Sequence, residues 1–156
     1  MRRNRITTVA LTIFMSAALC GADNTLGTWK LNVEKSKYDP GPPMVKSVTL
    51  VREAAPGGGA KMTATGVRAD GTAINGSSTV KYDGKDYPVL GNPNYDTVAV
   101  TEVDTNTHTA VYKKGGKVYS NAKNVVSNGG KTMTLTSTGT NAAGQPFRNV
   151  VVYEKQ

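Results

Sequence analysis

The chain has 156 residues with one cysteine, one histidine and a formal charge of +8, from 19 basic against 11 acidic side chains. A single cysteine excludes a disulfide framework within the chain, and with one histidine beside it the usual zinc sites are excluded as well. The basic residues are scattered rather than gathered into a stripe, and the pair Lys113–Lys114 stands beside glycines where a solvated turn is expected, so nucleic-acid binding is not indicated.

The first element is a leader. Arg2, Arg3 and Arg5 form a basic head, 14 residues from Ile6 to Leu19 form an apolar run, and small residues follow at Gly21 and Ala22. This is the build of a secretory signal peptide over residues 1–22. The run is shorter than the ~20 residues of a membrane-spanning helix, and no second span follows. Cys20 ends the apolar run as a lipidated cysteine would, but Leu19 stands where a lipobox has a small residue, so lipid anchoring is the less favoured reading. Export to the periplasm or the extracellular space is expected. Residues 23–156 then make one domain, whose net charge falls to +5 when the three arginines of the head leave.

From there the pattern is period two throughout, the signature of half-buried strands. Runs at Leu26–Leu31, Val45–Arg52, Lys61–Val67, Thr72–Tyr82, Val98–Val103, His108–Tyr112, Val118–Val126, Thr132–Thr140 and Phe147–Tyr153 alternate in this way and are rich in β-branched and aromatic residues. Turn chemistry separates them: Asp70-Gly71, Asp83-Gly84, Asp104-Thr105-Asn106, Gly115-Gly116, Asn128-Gly129-Gly130 and Asn141 to Gly144. Such short links leave no room for parallel crossovers, so the expectation is an all-β, antiparallel up-and-down barrel of about eight to ten strands. Two stretches are read as irregular connections, residues 38–43 with three prolines and residues 87–95 with two; Tyr38, Tyr87 and Tyr95 in them are candidate loop contacts. Met62–Gly66 and Leu135–Gly139, each followed by a similar turn, echo each other at a constant offset of 73 positions, which marks both as hairpins.

Catalytic machinery is not found. No nucleophile elbow accompanies His108, which is read as a solvent-facing strand residue just after a turn. Gly57-Gly58-Gly59 lacks the lysine and helix of a phosphate loop, and Asp83 to Asp86 is too short for a calcium loop. No catalytic residue, metal site or cofactor is therefore expected. The threonines from Thr132 to Thr140 suit the outer, wetted face of a strand.

The opening Leu26-Gly27-Thr28-Trp29-Lys30-Leu31 and the closing Val152-Tyr153-Glu154-Lys155 resemble the first and last strands of the calycins, the lipocalins and fatty-acid-binding proteins. The resemblance implies a barrel closed by pairing of its end strands, an apolar ligand inside, and a structural role in closure for Gly27 and Trp29. It also implies an arginine near the chain end packed on the tryptophan, for which Arg148 is the available residue. The arginine that clamps a carboxylate in fatty-acid-binding proteins is replaced here by Val151, so that role does not carry over. The helix pair that follows the first strand in that family is absent, and a proline-rich loop stands in its place.

The function expected is binding of a small, apolar molecule without catalysis. Val98, Val100, Met133, Leu135, Val151 and Tyr153 are the candidate interior residues, apolar and of one parity in their strands. The alternative is a cavity-free interaction module acting through the tyrosine- and proline-bearing loops.

Overall fold

In the computed structural model residues 22–127 and 129–156 are described; the expected leader, Ala22 excepted, lies outside them. Ten strands follow one another: β1 (Gly27–Asp39), β2 (Val45–Ala54), β3 (Ala60–Arg68), β4 (Ala73–Val80), β5 (Asp83–Pro88), β6 (Thr97–Asp104), β7 (Thr107–Lys114), β8 (Lys117–Val126), β9 (Thr132–Thr140) and β10 (Pro146–Lys155). No helix occurs among the described residues. The sheet order is β4-β3-β2-β1-β10-β9-β8-β7-β6-β5. Every strand but the two outermost lies between partners, and β1 pairs with β10, so the ribbon rolls into a nearly closed up-and-down barrel. The expected fold class is met.

The echo at 73 positions is built from the same backbone hydrogen bonding in both turns. Gly71 donates to the Arg68 carbonyl and Arg68 to that of Thr72, while Gly144 donates to Asn141 and Asn141 to Gln145. Both glycines take positive φ, 90° and 78°, which a residue with a Cβ adopts only at a cost. Upstream, Gly66 and Gly139 sit where a neighbouring strand presses in. A Cβ would lie 2.1 Å from the Ser47 carbonyl oxygen at Gly66 and 2.2 Å from that of Tyr119 at Gly139.

Two local expectations need correction. Tyr38 and Asp39 are not in a loop; they end β1, a 13-residue strand whose register shifts between Asn32 and Lys37. Beyond that bulge β1 pairs with β10 alone, as Tyr38 opposite Asn149 and Asp39 opposite Arg148, because β2 pairs only with Gly27–Lys30. The prolines start just past this strand and so do not break it. Asp83-Gly84 is likewise not a free turn but the start of β5, paired with β6 through a register shift between Asp83 and Asp86. Gly84, at φ 73°, absorbs the bend.

Inward-facing residues gather in two groups. Trp29, Leu31, Val48, Val126, Met133, Val151 and Tyr153 pack where β1 meets β10. Val80, Val98, Val100, Ala110 and Ala122 pack under β6–β8. Trp29 is fully buried, and its indole Nε1 donates to the Thr25 carbonyl at 2.9 Å. The cation over its ring is Lys155, with Nζ 5.1 Å from the centroid. This corrects the expectation for Arg148, which is exposed near the opposite end of β10. The register puts Lys155, not Arg148, opposite Trp29.

The strand directions give the barrel two distinct ends. At one, the segment Asp23–Leu26 crosses the opening as a strap: the Asn24 amide donates to the Thr105 carbonyl and its side chain to Asn106 Oδ1, both across the β6–β7 turn. At the other lie the turns after β1, β3, β7 and β9 and the β5–β6 loop.

Candidate functional site

Between the β3–β4 wall and the β6–β8 wall the barrel holds a cavity of about 140 Å3. Its position follows from residue size. Ala64, Gly76 and Ala110 stand at inward positions where larger side chains would meet across the barrel, and Leu50, Met62, Ile74, Val98, Val100 and Leu135 complete an apolar lining. A larger groove, about 440 Å3, runs past the Gly57–Gly59 turn, Lys81 and Glu102, but it lies open on the outside of the strapped end.

The cavity borders the one side of the barrel without a strand ladder. β4 and β5 are the outermost strands of the sheet and share no ladder; just past β5, Leu90 forms a single bridge to β4 in which it and Ser77 exchange backbone hydrogen bonds at 3.1 and 2.9 Å. The Ser78 hydroxyl adds a bond to the Pro88 carbonyl. The β5–β6 loop folds over this gap, bringing Val89, Gly91, Asn92 and Tyr95 to the lining. Gly91 fits so tightly against β4 that a Cβ would lie 1.9 Å from the Asn75 carbonyl oxygen. Tyr95 leans on Tyr112 with ring centroids 4.5 Å apart, and Tyr119 and Phe147 continue the row toward the unstrapped end. Burial raises the hydroxyl pKa of both Tyr95 and Tyr112, so each stays a neutral donor and acceptor.

Of the interior candidates named from the sequence, Val98, Val100 and Leu135 line the cavity, while Met133, Val151 and Tyr153 face inward but are packed around Trp29. Of the loop candidates, Tyr95 lines the cavity. Tyr38 packs on the Trp29 group, and Tyr87 is not a loop residue but ends β5 with Pro88, paired opposite Val98 of β6, with its hydroxyl donating to Asp83.

The strapped end carries polar chemistry that the sequence reading placed elsewhere. His108 is not solvent-facing: it is fully buried. It shares its parity on β7 with Ala110 and Tyr112, and that parity points inward. Arg52, 6% exposed, faces it from β2 with Nη2 3.2 Å from His108 Nδ1. A guanidinium only donates, so the neutral imidazole accepts at Nδ1 and carries its proton at Nε2. Nε2 has no hydrogen-bond partner; Asp23 Oδ1 and Glu102 Oε2 lie beyond reach at 3.8 and 3.9 Å. The Tyr82 ring lies against the imidazole, centroids 4.3 Å apart, and its hydroxyl donates to Asp23 Oδ2 at 2.6 Å.

Burial pushes the His108 pKa down and Arg52 adds to this, outweighing the pull of Asp23 and Asp104 in the other direction. Burial tends to raise the Asp23 carboxyl, but hydrogen bonds from Thr25 and Tyr82, with His108 nearby, bring it net below the usual carboxylate range. Tyr82 is pushed up to about 12 by burial and by its bond to Asp23. The Thr25 hydroxyl donates to Asp23 at 2.6 Å and lies 3.4 Å from His108. Its proton is therefore committed to the carboxylate, and His108 activates no nucleophile here. Alternation was the signal that could have found His108 and Arg52, since both share the parity of apolar inward neighbours.

The fluorescent protein UnaG has a crystal structure that matches 85% of this chain and 98% of its own, with a TM-score of 0.57 at 14% identity. The fold is a calycin-like β-barrel. A mutant of UnaG matches at 0.54 and 18% identity. The protein EF1p2_mFAP2b, solved bound to DFHBI, matches 85% of this chain and 94% of its own at 0.50 and 12%. No protein-family model and no curated protein sequence matches the chain.

Proposed function

We propose that this protein is an exported, non-catalytic barrel that binds a small apolar molecule in its interior. The observation that carries the reading is the partly open cavity of about 140 Å3 with its mostly apolar lining beside the unladdered β4–β5 side. Apolar surface moved from water into such a lining contributes about 25 cal/mol per Å2, and the few polar groups around it, among them Tyr95 and Tyr112, orient the guest. The solved barrel bound to DFHBI supports the idea that this architecture accommodates a small molecule. The cavity also weighs against the alternative of a cavity-free interaction module. Export rests on the basic head and apolar run of residues 1–22.

The test is native mass spectrometry of protein from its own host together with displacement of a fluorescent apolar probe. A bound small molecule, or displacement accompanied by a raised melting temperature, is expected, since a ligand at 100 times its Kd adds about 2.7 kcal/mol to stability. A protein that arrives empty and takes up no probe retires the reading. N-terminal sequencing of the exported protein is expected to begin at Asp23, and a form retained in the cytoplasm at full length overturns export.

A further inference from the structure

Arg52 is a buried cation, and the only charged residue, in the wall of a mostly apolar cavity lined by described residues. Alternation along β2 puts it there, two residues on from Leu50, which also lines the cavity, and four from buried Val48. Removing a guanidinium from water is far costlier than removing hydrocarbon, unless an opposite charge and hydrogen bonds offset it. Neither offset is complete here. Among the described residues no carboxylate lies within ion-pair distance of Arg52. Its Nη2 meets the neutral His108, and its Nε is buried with no hydrogen-bond partner. Asp23 and Glu102 make their closest charged approach to His108 Nε2, at 3.8 and 3.9 Å, and the Asp23 carboxylate is already engaged by Thr25 and Tyr82. Tyr82 beside Arg52 is neutral and gives its proton to Asp23, and the polar side chains of the cavity lining, among them Ser78, Tyr112 and Asn124, are neutral as well and supply no charge.

Resting on the binding reading above, we infer that the ligand is a small monoanion, its carboxylate or equivalent acidic group held by Arg52 and its hydrocarbon body lying against Leu50, Met62, Val98, Val100 and Leu135. A guanidinium binds such a group by charge-assisted hydrogen bonds, and an anion at that point would supply the partner that the barrel itself does not. Volume limits the body. An apolar protein cavity of about 150 Å3 holds benzene, so a ring or a chain of about six carbons fills this one. The site differs from the arginine clamp of fatty-acid-binding proteins, whose place here is Val151. Arg52 comes from another strand and meets the ligand at the strapped end of the barrel.

The test uses matched pairs that differ only in charge: benzoate against benzamide, and hexanoate against hexanamide, titrated into the intact protein by calorimetry near neutral pH. Each anion is expected to bind at least tenfold more tightly than its amide, and the ratio to fall toward one in Arg52→Met. Amides that bind as well as or better than the anions in the unaltered protein overturn this assignment while leaving the binding reading in place. If no member of either pair binds, and the apolar probe is not displaced either, both fall. The comparison of pairs needs no variant. Should Arg52→Met fail to fold, Arg52→Lys, which keeps the charge, is expected to keep the preference for anions, and its loss there without loss of folding also counts against the charge.

Discussion

The barrel has two sides that do opposite things with the same strand chemistry. Where β1 meets β10, a register running from Trp29–Lys155 to Asp39–Arg148 joins the strands, broken by one bulge. Beneath it lies the group of large side chains around Trp29. Where β4 faces β5, a single bridge and one serine hydroxyl span the gap, with the cavity beneath. The difference teaches that closure of a barrel need not be uniform. One side holds the fold together, and the other leaves room inside.

The largest expected effect comes from attacking the laddered side. Trp29→Ala removes a fully buried indole and its bond to Thr25, and is expected to cost about 3–5 kcal/mol in urea denaturation. A loss below about 1 kcal/mol would mean that this side is not the one that holds the barrel. Next comes native-state hydrogen exchange, which sharpens the contrast without mutation. The amides of Ser77 and Leu90, bonded only to each other's residues, are expected to exchange about a hundredfold faster than the bonded amides of the β1–β10 ladder; equal protection on both sides erases the distinction.

A smaller effect separates two glycines with similar backbones. Gly91 and Gly144 have φ of 74° and 78°, but a Cβ meets the Asn75 carbonyl at the first and nothing within 4 Å at the second. Gly144→Ala should cost about 1 kcal/mol for backbone conformation alone. Gly91→Ala should cost more, at about 2–3 kcal/mol, and speed exchange at Ser77, because it levers the loop from β4. Equal losses would show that the loop is not seated against that strand.

The smallest effect is a pH dependence at the strapped end. An unfolded histidine titrates near 6.5, and folded His108 holds its proton more weakly because it is buried, with Arg52 beside it. Below about pH 6.5 the unfolded chain therefore takes up a proton that the folded one resists, and stability falls by at most about 1.4 kcal/mol per pH unit. Asp23 does not blur this window. Its carboxyl lies below the usual range when folded, so its contribution is present above about pH 4 and is lost only in stronger acid. Thr25, Arg52, Tyr82, Glu102 and Asp104 are the other groups facing or influencing the ring. His108→Gln is expected to flatten the denaturation profile between pH 7 and 5, and an unchanged slope would assign it to other groups.

How far this was legible in the sequence depends on how local the signal is. Alternating side chains and turn residues act within a few positions, so the strand pattern, the up-and-down order and the twin hairpins at Gly71 and Gly144 could be read directly. The cation over Trp29 could not be, because register across β1 and β10, not sequence separation, puts Lys155 there and leaves Arg148 outside. The cavity was half legible. Parity puts Val98, Val100, Met133 and Leu135 inside, but only packing decides which of them border the empty space. Arg52 and His108 were hidden by habit: charged and titratable residues at strand ends are usually solvated, and here the strap from Asp23 to Leu26 covers them instead.

The Gln156 amide donates to the Thr28 carbonyl at 3.0 Å, so the last residue rests on the first strand. A few glycines and serines would link the tail to the strap, and the ribbon could then be cut afresh in the exposed Ala142–Gly144 turn. Every strand would keep its ladder partners in such a circular permutant.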